Sequence, residues 1–141
     1  METKWRSSLL LAEDKPVLLT KEPLSLGTAI QYVSRSDRGA IVTFSGTVRE
    51  REGNRKIQSI SYEAYEDMAV KRMKRIVGLA EKDWDVSVAI QHCLGLVPVQ
   101  EASLVVACAG AHRQEAFEAC QFVVDSIKRE VPIWKVGFEW V

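Results

Sequence analysis

Cysteine is scarce in this sequence and has no obvious partners: Cys93, Cys108 and Cys120 are the whole supply. The number is odd and no CxxC spacing occurs, which excludes a disulfide framework and offers no zinc-binding pattern. Net charge is also missing. Lys plus Arg number 19 and Asp plus Glu number 19, so the chain lacks the basic excess with which nucleic-acid binders displace counterions; a local basic pocket is still compatible with that balance. Long apolar runs are absent. Leu9-Leu10-Leu11 is followed at once by Glu13 and Asp14, too short for a signal peptide or a membrane span. A reducing cytoplasm is therefore expected. GxSxG, P-loop and HExxH patterns are not found, nor is any repeat or low-complexity stretch.

What remains is an ordinary globular composition, 47% hydrophobic and 27% charged over 141 residues, enough for one domain with one core. Residues 1 to about 16 read as a loose leader and 17–141 as the domain. Ser25 can cap a short helix with Leu26, Ala29, Ile30 and Val33 inward. Gly39 opens a strand with Ala40, Val42, Phe44 and Val48 on one face. After a charged turn at Gly53-Asn54, residues 57–65 read as its return strand, making a long hairpin. Asp67 can cap a second helix with Ala69, Met73, Ile76, Val77 and Ala80 as its stripe. Lys71, Arg72, Lys74 and Arg75 then cover its solvated side. Residues 86–92 alternate as a strand, 94–98 turn, and 103–111 suit a strand covered on both faces. A third helix is expected from about His112 to Arg129, buried through Ala116, Cys120, Val123, Val124 and Ile127 and stopped by Pro132. The tail alternates, with Trp134, Val136, Phe138 and Trp140 on one side. Hairpins mixed with about three helices define an α+β protein with a mixed or antiparallel sheet.

Chemistry has few places to sit. At Ala109-Gly110-Ala111-His112-Arg113 an apolar strand gives way to a helix, whose free N–H groups and dipole favour an anion. His112 and Arg113 read either as the grip on such an anion or as a cap and a surface residue. Lys128 reads either as a cation favoured by the helix C-terminus or as an acid–base or nucleophilic group, and Lys135 as the polar side of a strand or as a second such group. His112 and Lys128 are 16 residues apart, about 24 Å along one helix. They cannot meet in one small-molecule pocket of a single chain, so a site using both would be built by two subunits. Cys108 and Cys120 fall on buried faces, while Cys93 adjoins His92 in a strand and points away from it.

Several segments together resemble the large, catalytic subunit of molybdopterin synthase over roughly residues 38–135. They are Gly39 to Arg49 (GAIVTFSGTVR), Tyr62-Glu-Ala-Tyr65 with Met68, Leu94 to Pro98 (LGLVP), Ala111-His-Arg113, and Asp125 to Lys128 followed by Val131-Pro-Ile-Trp-Lys135. Each alone is weak; their order and spacing make the match specific.

The resemblance implies an α/β hammerhead-like fold and a homodimer of large subunits within a heterotetramer. The partner would be a small ubiquitin-like subunit whose thiocarboxylated C-terminal tail enters a pocket of the large one. Sulfur would pass in two rounds to cyclic pyranopterin monophosphate to form the dithiolene of molybdopterin. It further implies Lys128 and Lys135 as catalytic lysines, and Arg49, Phe44, His112 and Arg113 as substrate-binding residues, the last two reaching the neighbouring subunit's site. No cofactor, metal, nucleic acid or membrane is implied. Cys93 stands where many relatives have arginine, Val136 where a second basic residue is frequent, and Glu139 precedes Trp140 where the family tail carries an arginine. Those departures keep a rival in view, a non-catalytic dimeric module that docks a ubiquitin-like tail. A second rival uses Cys93 as the acyl-transfer thiol.

Overall fold

A computed structural model describes residues 15–141. In chain order these form β1 (Val17–Thr20), α1 (Leu26–Val33), β2 (Ala40–Thr47), β3 (Arg51–Glu52), β4 (Arg55–Ala64), α2 (Glu66–Asp83), β5 (Val86–Cys93), β6 (Gly95–Pro98), β7 (Ala102–Gly110), α3 (Arg113–Glu130) and β8 (Ile133–Trp140). One sheet runs β1-β5-β7-β2, with β1 parallel to β5 and the other pairs antiparallel. In the second, β4 is central: β6 and β8 pair with it, and β3 joins it at its start. The α+β expectation with three helices and mixed sheets is thereby met. Residues 1–14 of the expected leader lie outside the described residues, whereas the Pro16 carbonyl accepts the Ile90 N–H at 2.7 Å.

The apolar run at β7 is the centre of the core, and both of its faces are covered. Leu104, Val106 and Cys108 meet Val88 and Ile90 under α2 and α3. Val105, Ala107 and Ala109 meet Ala29 and Val33 of α1. The stripes foreseen on α2 and α3 are buried throughout, with Ala119 and Ser126 added on α3. Ser25 caps α1, its hydroxyl accepting the Thr28 N–H at 3.1 Å. Leu26 is exposed and Thr28 takes the inward place instead. Asp67 is not a cap. Tyr65 holds that position without a side-chain bond, and Glu66 and Asp67 sit in the first turn, where carboxylates complement the dipole.

The long hairpin does not form. β2 pairs with β7, and β4 belongs to the other sheet, leaving only a short β3–β4 hairpin turned by Gly53 at φ +61°. Alternation told which face of each strand is apolar but not which partner completes it. β5 is buried on both faces, because its polar residues have partners inside. Ser87 accepts a bond from Arg38 at 3.2 Å, and Gln91 binds both backbone groups of Ser25 at 2.9 Å. The segment at 94–98 is strand β6 rather than a plain turn. Two of the four cations expected to be solvated on α2 are engaged: Arg72 donates to the Glu130 carbonyl at 2.8 Å and Arg75 pairs with the Glu130 carboxylate at 3.3 Å. Among the described residues no helix is long and apolar enough to cross a membrane.

Arg38 fastens the entry to β2 to the start of β5. Its side chain is 3% exposed, and it bonds Ser87 and both the carbonyl and carboxylate of Asp85 at 3.1–3.2 Å. Arg38→Ala should cost about 2 kcal/mol, since hydrogen bonds to a charged group and buried stem packing are lost together. Arg38→Lys should recover little, lacking the planar fork. Denaturant unfolding checks this; a loss under about 0.5 kcal/mol for the alanine variant would show that Arg38 is only a surface ornament.

Candidate functional site

The end of α3 and the start of β8 bring two lysines to one place. Ser126 and Ile127 are buried, so the next residue, Lys128, emerges on the outer side of the last turn. Val131 caps the helix and Pro132 ends it, its carbonyl accepting the Tyr65 N–H at 3.1 Å. β8 then runs back along β4. Tyr62 lies opposite Lys135 but Ser61 opposite Gly137, so Val136 is an extra residue in the strand. Such a bulge re-aims the side chains on either side of it. Without it Lys135 would face with Glu63. With it Lys135 shares the face of Tyr62, while Trp134 falls opposite Glu63 and packs against Tyr65 at 4.9 Å. The single-sided tail expected from the sequence is thus broken at Val136: Phe138, opposite Ile60, is on Lys135's face and Trp134 is not.

Arg49 arrives from the other direction. Its neighbour Val48 is buried against Ile57, Ile60 and Val97 and exchanges backbone hydrogen bonds with the 100–101 turn at 2.8 and 3.0 Å. Gln100 adopts φ +77° to make that turn. Arg49, Lys128 and Lys135 then line one cleft of about 420 Å³, together with Tyr62, His92 and Ser103. Among the described residues no carboxylate lines it.

The other expected site residues lie elsewhere. His112 and Arg113 line a separate hollow of about 640 Å³ at the α3 N-terminus, against Gly39 and Ala111. A side chain at Gly39 would stand 2.8 Å from the Ala111 carbonyl oxygen, so this hollow is shaped by a close backbone approach. His112 holds the N-cap position without a side-chain bond to the helix; its ring is 84% exposed and lies 3.4 Å from the Glu115 carboxylate. Arg113 forms no ion pair among the described residues. Phe44 is half-buried against the main core and lines a third, apolar groove with Phe117, Cys120 and Val124. Its ring reaches toward the cleft, 3.1 Å from where a side chain on the cleft residue Gly46 would begin. One chain therefore unites Arg49, Lys128 and Lys135, puts Phe44 beside them, and holds His112 and Arg113 apart.

His92, Tyr62 and Ser103 are cleft residues that the sequence reading left out. His92, the sole histidine of an otherwise apolar strand end, was weighed only as a partner for Cys93. It is 7% exposed, its Nδ1 lies 2.8 Å from the Cys93 carbonyl oxygen, and its ring meets Tyr62 edge-on at 5.5 Å. Burial pushes its pKa down; the Cys93 carbonyl opposes this and the nearby Lys128 charge adds to it. Cys93 does not line the cleft. Its thiol is buried between the carbonyls of Glu22 and Leu94, at 3.6 and 3.5 Å, and burial pushes its pKa up. That environment disfavours a thiolate nucleophile. Cys108 and Cys120 adjoin in the core, and the Cys108 thiol is held protonated chiefly through its bond with Cys120.

Fold and site define an α+β protein with a cationic cleft at one end of a long helix and an anion-suited hollow at the other. The family model of the MoaE protein matches residues 19–130. The molybdopterin synthase catalytic subunit of Thermoplasma volcanium is 40% identical over 120 residues, covering 84% of this chain and 88% of its own. That of Bacillus subtilis is 38% identical over 129 residues, covering 87% and 82%. Molybdopterin synthase from Staphylococcus aureus superposes with a TM-score of 0.84 at 28% identity, over 90% of this chain and 97% of that one. A complex of subunits 1 and 2 of molybdopterin-converting factor from Helicobacter pylori shares the fold, with a TM-score of 0.75 at 24% identity and 90% of each chain covered. The chain belongs to the MoaE family, enzymes of molybdenum cofactor biosynthesis.

The buried imidazole has a measurable consequence. Unfolding returns His92 to its ordinary value near 6.5. Below that pH the unfolded chain takes up a proton that the folded chain resists, so stability falls as the pH drops. Between about pH 7.5 and about pH 5.5, unfolding free energy should decline more in the wild type than in His92→Gln. Equal declines would mean that burial does not hold the ring neutral.

Proposed function

We propose that this chain acts as the catalytic subunit of a molybdopterin synthase, passing sulfur from the thiocarboxylated C-terminus of a small ubiquitin-like subunit to cyclic pyranopterin monophosphate. The observation that carries this reading is the convergence of Arg49, Lys128 and Lys135 on a cleft lined by no carboxylate among the described residues. Such a cleft suits a thiocarboxylate, an anion at the end of a slender Gly-Gly tail. The thiocarboxylate sulfur attacks a carbon of the pterin side chain as that carbon's C–O bond to the cyclic phosphate breaks, the electron pair leaving on the phosphate oxygen, and an acyl-thioester joins carrier and substrate. Water then cleaves the acyl–sulfur bond, releasing the carrier as carboxylate and leaving the sulfur on the substrate. The negative charge that grows on the acyl oxygen in that step is what a fixed cation stabilises. Lys128 stands at the negative end of the α3 dipole, surroundings that suit a standing positive charge. That favours charge stabilisation for Lys128 over direct attack on the acyl carbon. Lys135 adds a second charge or a proton, and Phe44 and Arg49 shape the substrate's place.

The substrate phosphate belongs at the other end of α3. There the helix N-terminus and the guanidinium of Arg113 offer donors to an anion, with His112 beside them. Because one helix separates the two ends, the working site takes its lysines from one subunit and its phosphate grip from the second, in a symmetric homodimer that carries a small subunit at each site. A cytoplasmic setting fits three free cysteines.

Reconstitution with a thiocarboxylated small subunit and cyclic pyranopterin monophosphate tests the assignment. Lys128→Ala should abolish dithiolene formation while the fold and carrier binding persist; wild-type turnover would remove Lys128 from the mechanism. No product from the wild type despite carrier binding would favour the non-catalytic docking module instead. Arg113→Ala should weaken substrate binding roughly tenfold or more, as the loss of a charge-assisted hydrogen bond does. Mixing the two variants, at a substrate concentration too low for Arg113→Ala to bind and turn over, offers a test of the shared site. Random pairing leaves up to about a quarter of the sites intact, so activity should reappear on mixing. Persistent inactivity in demonstrated mixed dimers would place both residues in one subunit's site.

A further inference from the structure

Within the cleft, the charged side chains can only donate, whereas the hydroxyls of Thr47, Tyr62 and Ser103 can donate or accept. Arg49, Lys128, Lys135 and the Trp134 indole carry no acceptor. The Ser103 hydroxyl donates to the Gly46 carbonyl at 3.3 Å. His92 is different, and its tautomer follows from its surroundings. The atom 2.8 Å from Nδ1 is a carbonyl oxygen, so Nδ1 must carry the hydrogen. In the neutral ring Nε2 is then bare and can only accept. Nε2 has no protein partner, yet no buried side-chain nitrogen or oxygen among the described residues lacks one. It follows that Nε2 is not sealed in the core but opens to the cleft that His92 lines.

We propose that His92 is a positioning residue for Lys128: with Nδ1–H held by the Cys93 carbonyl, its bare Nε2, unpartnered in this structure, accepts a hydrogen bond from the Lys128 ammonium when that flexible side chain turns into the cleft. Lys128 has no ion pair among the described residues, and two further cations share its cleft. Lys128 is exposed and makes no hydrogen bond among the described residues, so its flexible four-carbon stem is free to turn toward an acceptor in the cleft that it lines. Lys128 and His92 line the same cleft, and the Lys128 charge adds in a small way to the burial that pushes the imidazole's pKa down. A neutral acceptor suits the place better than a carboxylate. It holds the ammonium without cancelling the charge that an anionic tail would seek. Tyr62 packs edge-on against the ring and limits its rotation, so both nitrogens keep their assignments. The functional part of the inference rests on the reading of Lys128 as the acting group, whereas the contact between the two side chains can be tested apart from it.

Three measurements test it. First, nitrogen NMR of the wild-type chain should show His92 as the neutral Nδ1–H tautomer; an Nε2–H ring or an imidazolium at neutral pH would overturn the proposal without any variant. Second, two substitutions divide the ring's roles. His92→Asn puts an amide nitrogen near the Nδ1 position and keeps the tie to Cys93, but it offers nothing at Nε2. His92→Gln puts an amide oxygen near the Nε2 position. With an amine-directed reagent and mass spectrometry on the chain alone, Lys128 should label several-fold faster in His92→Asn, with Lys135 unmoved and His92→Gln close to wild type. Equal Lys128 labelling in all three proteins would sink the contact, whatever the enzyme does. Third, kcat for sulfur transfer should fall on the order of 10- to 100-fold in His92→Asn, with KM for the carrier little changed and most of the loss recovered in His92→Gln. A parallel fall in both variants would mean that the ring matters for packing only. If labelling behaves as expected but the wild type transfers no sulfur, the sulfur-transfer reading falls while the His92–Lys128 contact stands.

Discussion

Helix α3 is the constraint on which the rest of the site depends. It runs from Arg113 to Glu130, 18 residues, or about 27 Å at the ordinary helical rise. Its inner stripe is buried from Ala116 to Ile127 against the sheet, so it cannot bend to bring its ends together. Both ends carry charge suited to an anion, but of different origin. At the N-terminus the helix itself supplies the field and Arg113 adds to it. At the C-terminus the field has the opposite sign and Lys128 must overcome it. In the proposed reading, one copy of the chain therefore offers two half-sites with a rigid spacer between them. Two-fold symmetry is the simplest way to let a phosphate at one end and a reacting carbon at the other belong to one small molecule.

Regular secondary structure places the charged residues, and departures from regularity aim them. Lys128 is on the last turn of a helix, Lys135 on an edge strand and Arg49 just beyond another strand. Each points into the cleft because of an irregularity nearby: the helix end at Pro132, the extra residue Val136, and the turn in which Gln100 takes positive φ and clasps Val48. Such features weaken a ladder or strain a residue, and they are found where a side chain must be directed rather than merely exposed. Val136 also shows why a departure from the family pattern need not remove function. What the position contributes to the cleft is the bulge, a property of register that an apolar residue can satisfy.

These particulars separate what could be read from the chain from what could not. The stripes of α2 and α3 and the doubly covered strand β7 were legible because their signals are local: apolar residues at helical spacing, or an unbroken apolar run bounded by turns. The hairpin misreading shows the opposite. β2 and β4 are neighbours in sequence, both alternate, and a plausible turn lies between them, yet β2 (Ala40–Thr47) finds its partner in β7 (Ala102–Gly110), far along the chain. Pairing is a tertiary decision that periodicity does not encode. Ser87 and Gln91 were misleading in another way. Their polarity suggested a solvent face, but Arg38 and the α1 cap satisfy them inside. Of the candidate site, the anion junction at His112-Arg113 and its separation from Lys128 follow from helix geometry. The convergence of Arg49 with the two lysines came from family resemblance, since the bulge that aims Lys135 leaves no mark in composition or spacing. His92 was missed because its significance lies in one backbone carbonyl and in burial, which no sequence pattern displays.

The cleft is electrostatically unfinished in the protein alone. Three cations face a small volume that no carboxylate among the described residues lines, an arrangement whose mutual repulsion solvent moderates and an entering anion relieves. Relief on binding gives the cleft a preference for negatively charged, slender ligands without a dedicated hydrogen bond to each atom. A protonated His92 would add a fourth charge, raise the repulsion further and abolish the one obligate acceptor. Burial and the Cys93 carbonyl together prevent that, the first by disfavouring the imidazolium and the second by fixing which nitrogen holds the hydrogen. The neutral ring is thus part of the same electrostatic design as the lysines, since a site built to attract one anion must limit its own charge to what that anion can neutralise.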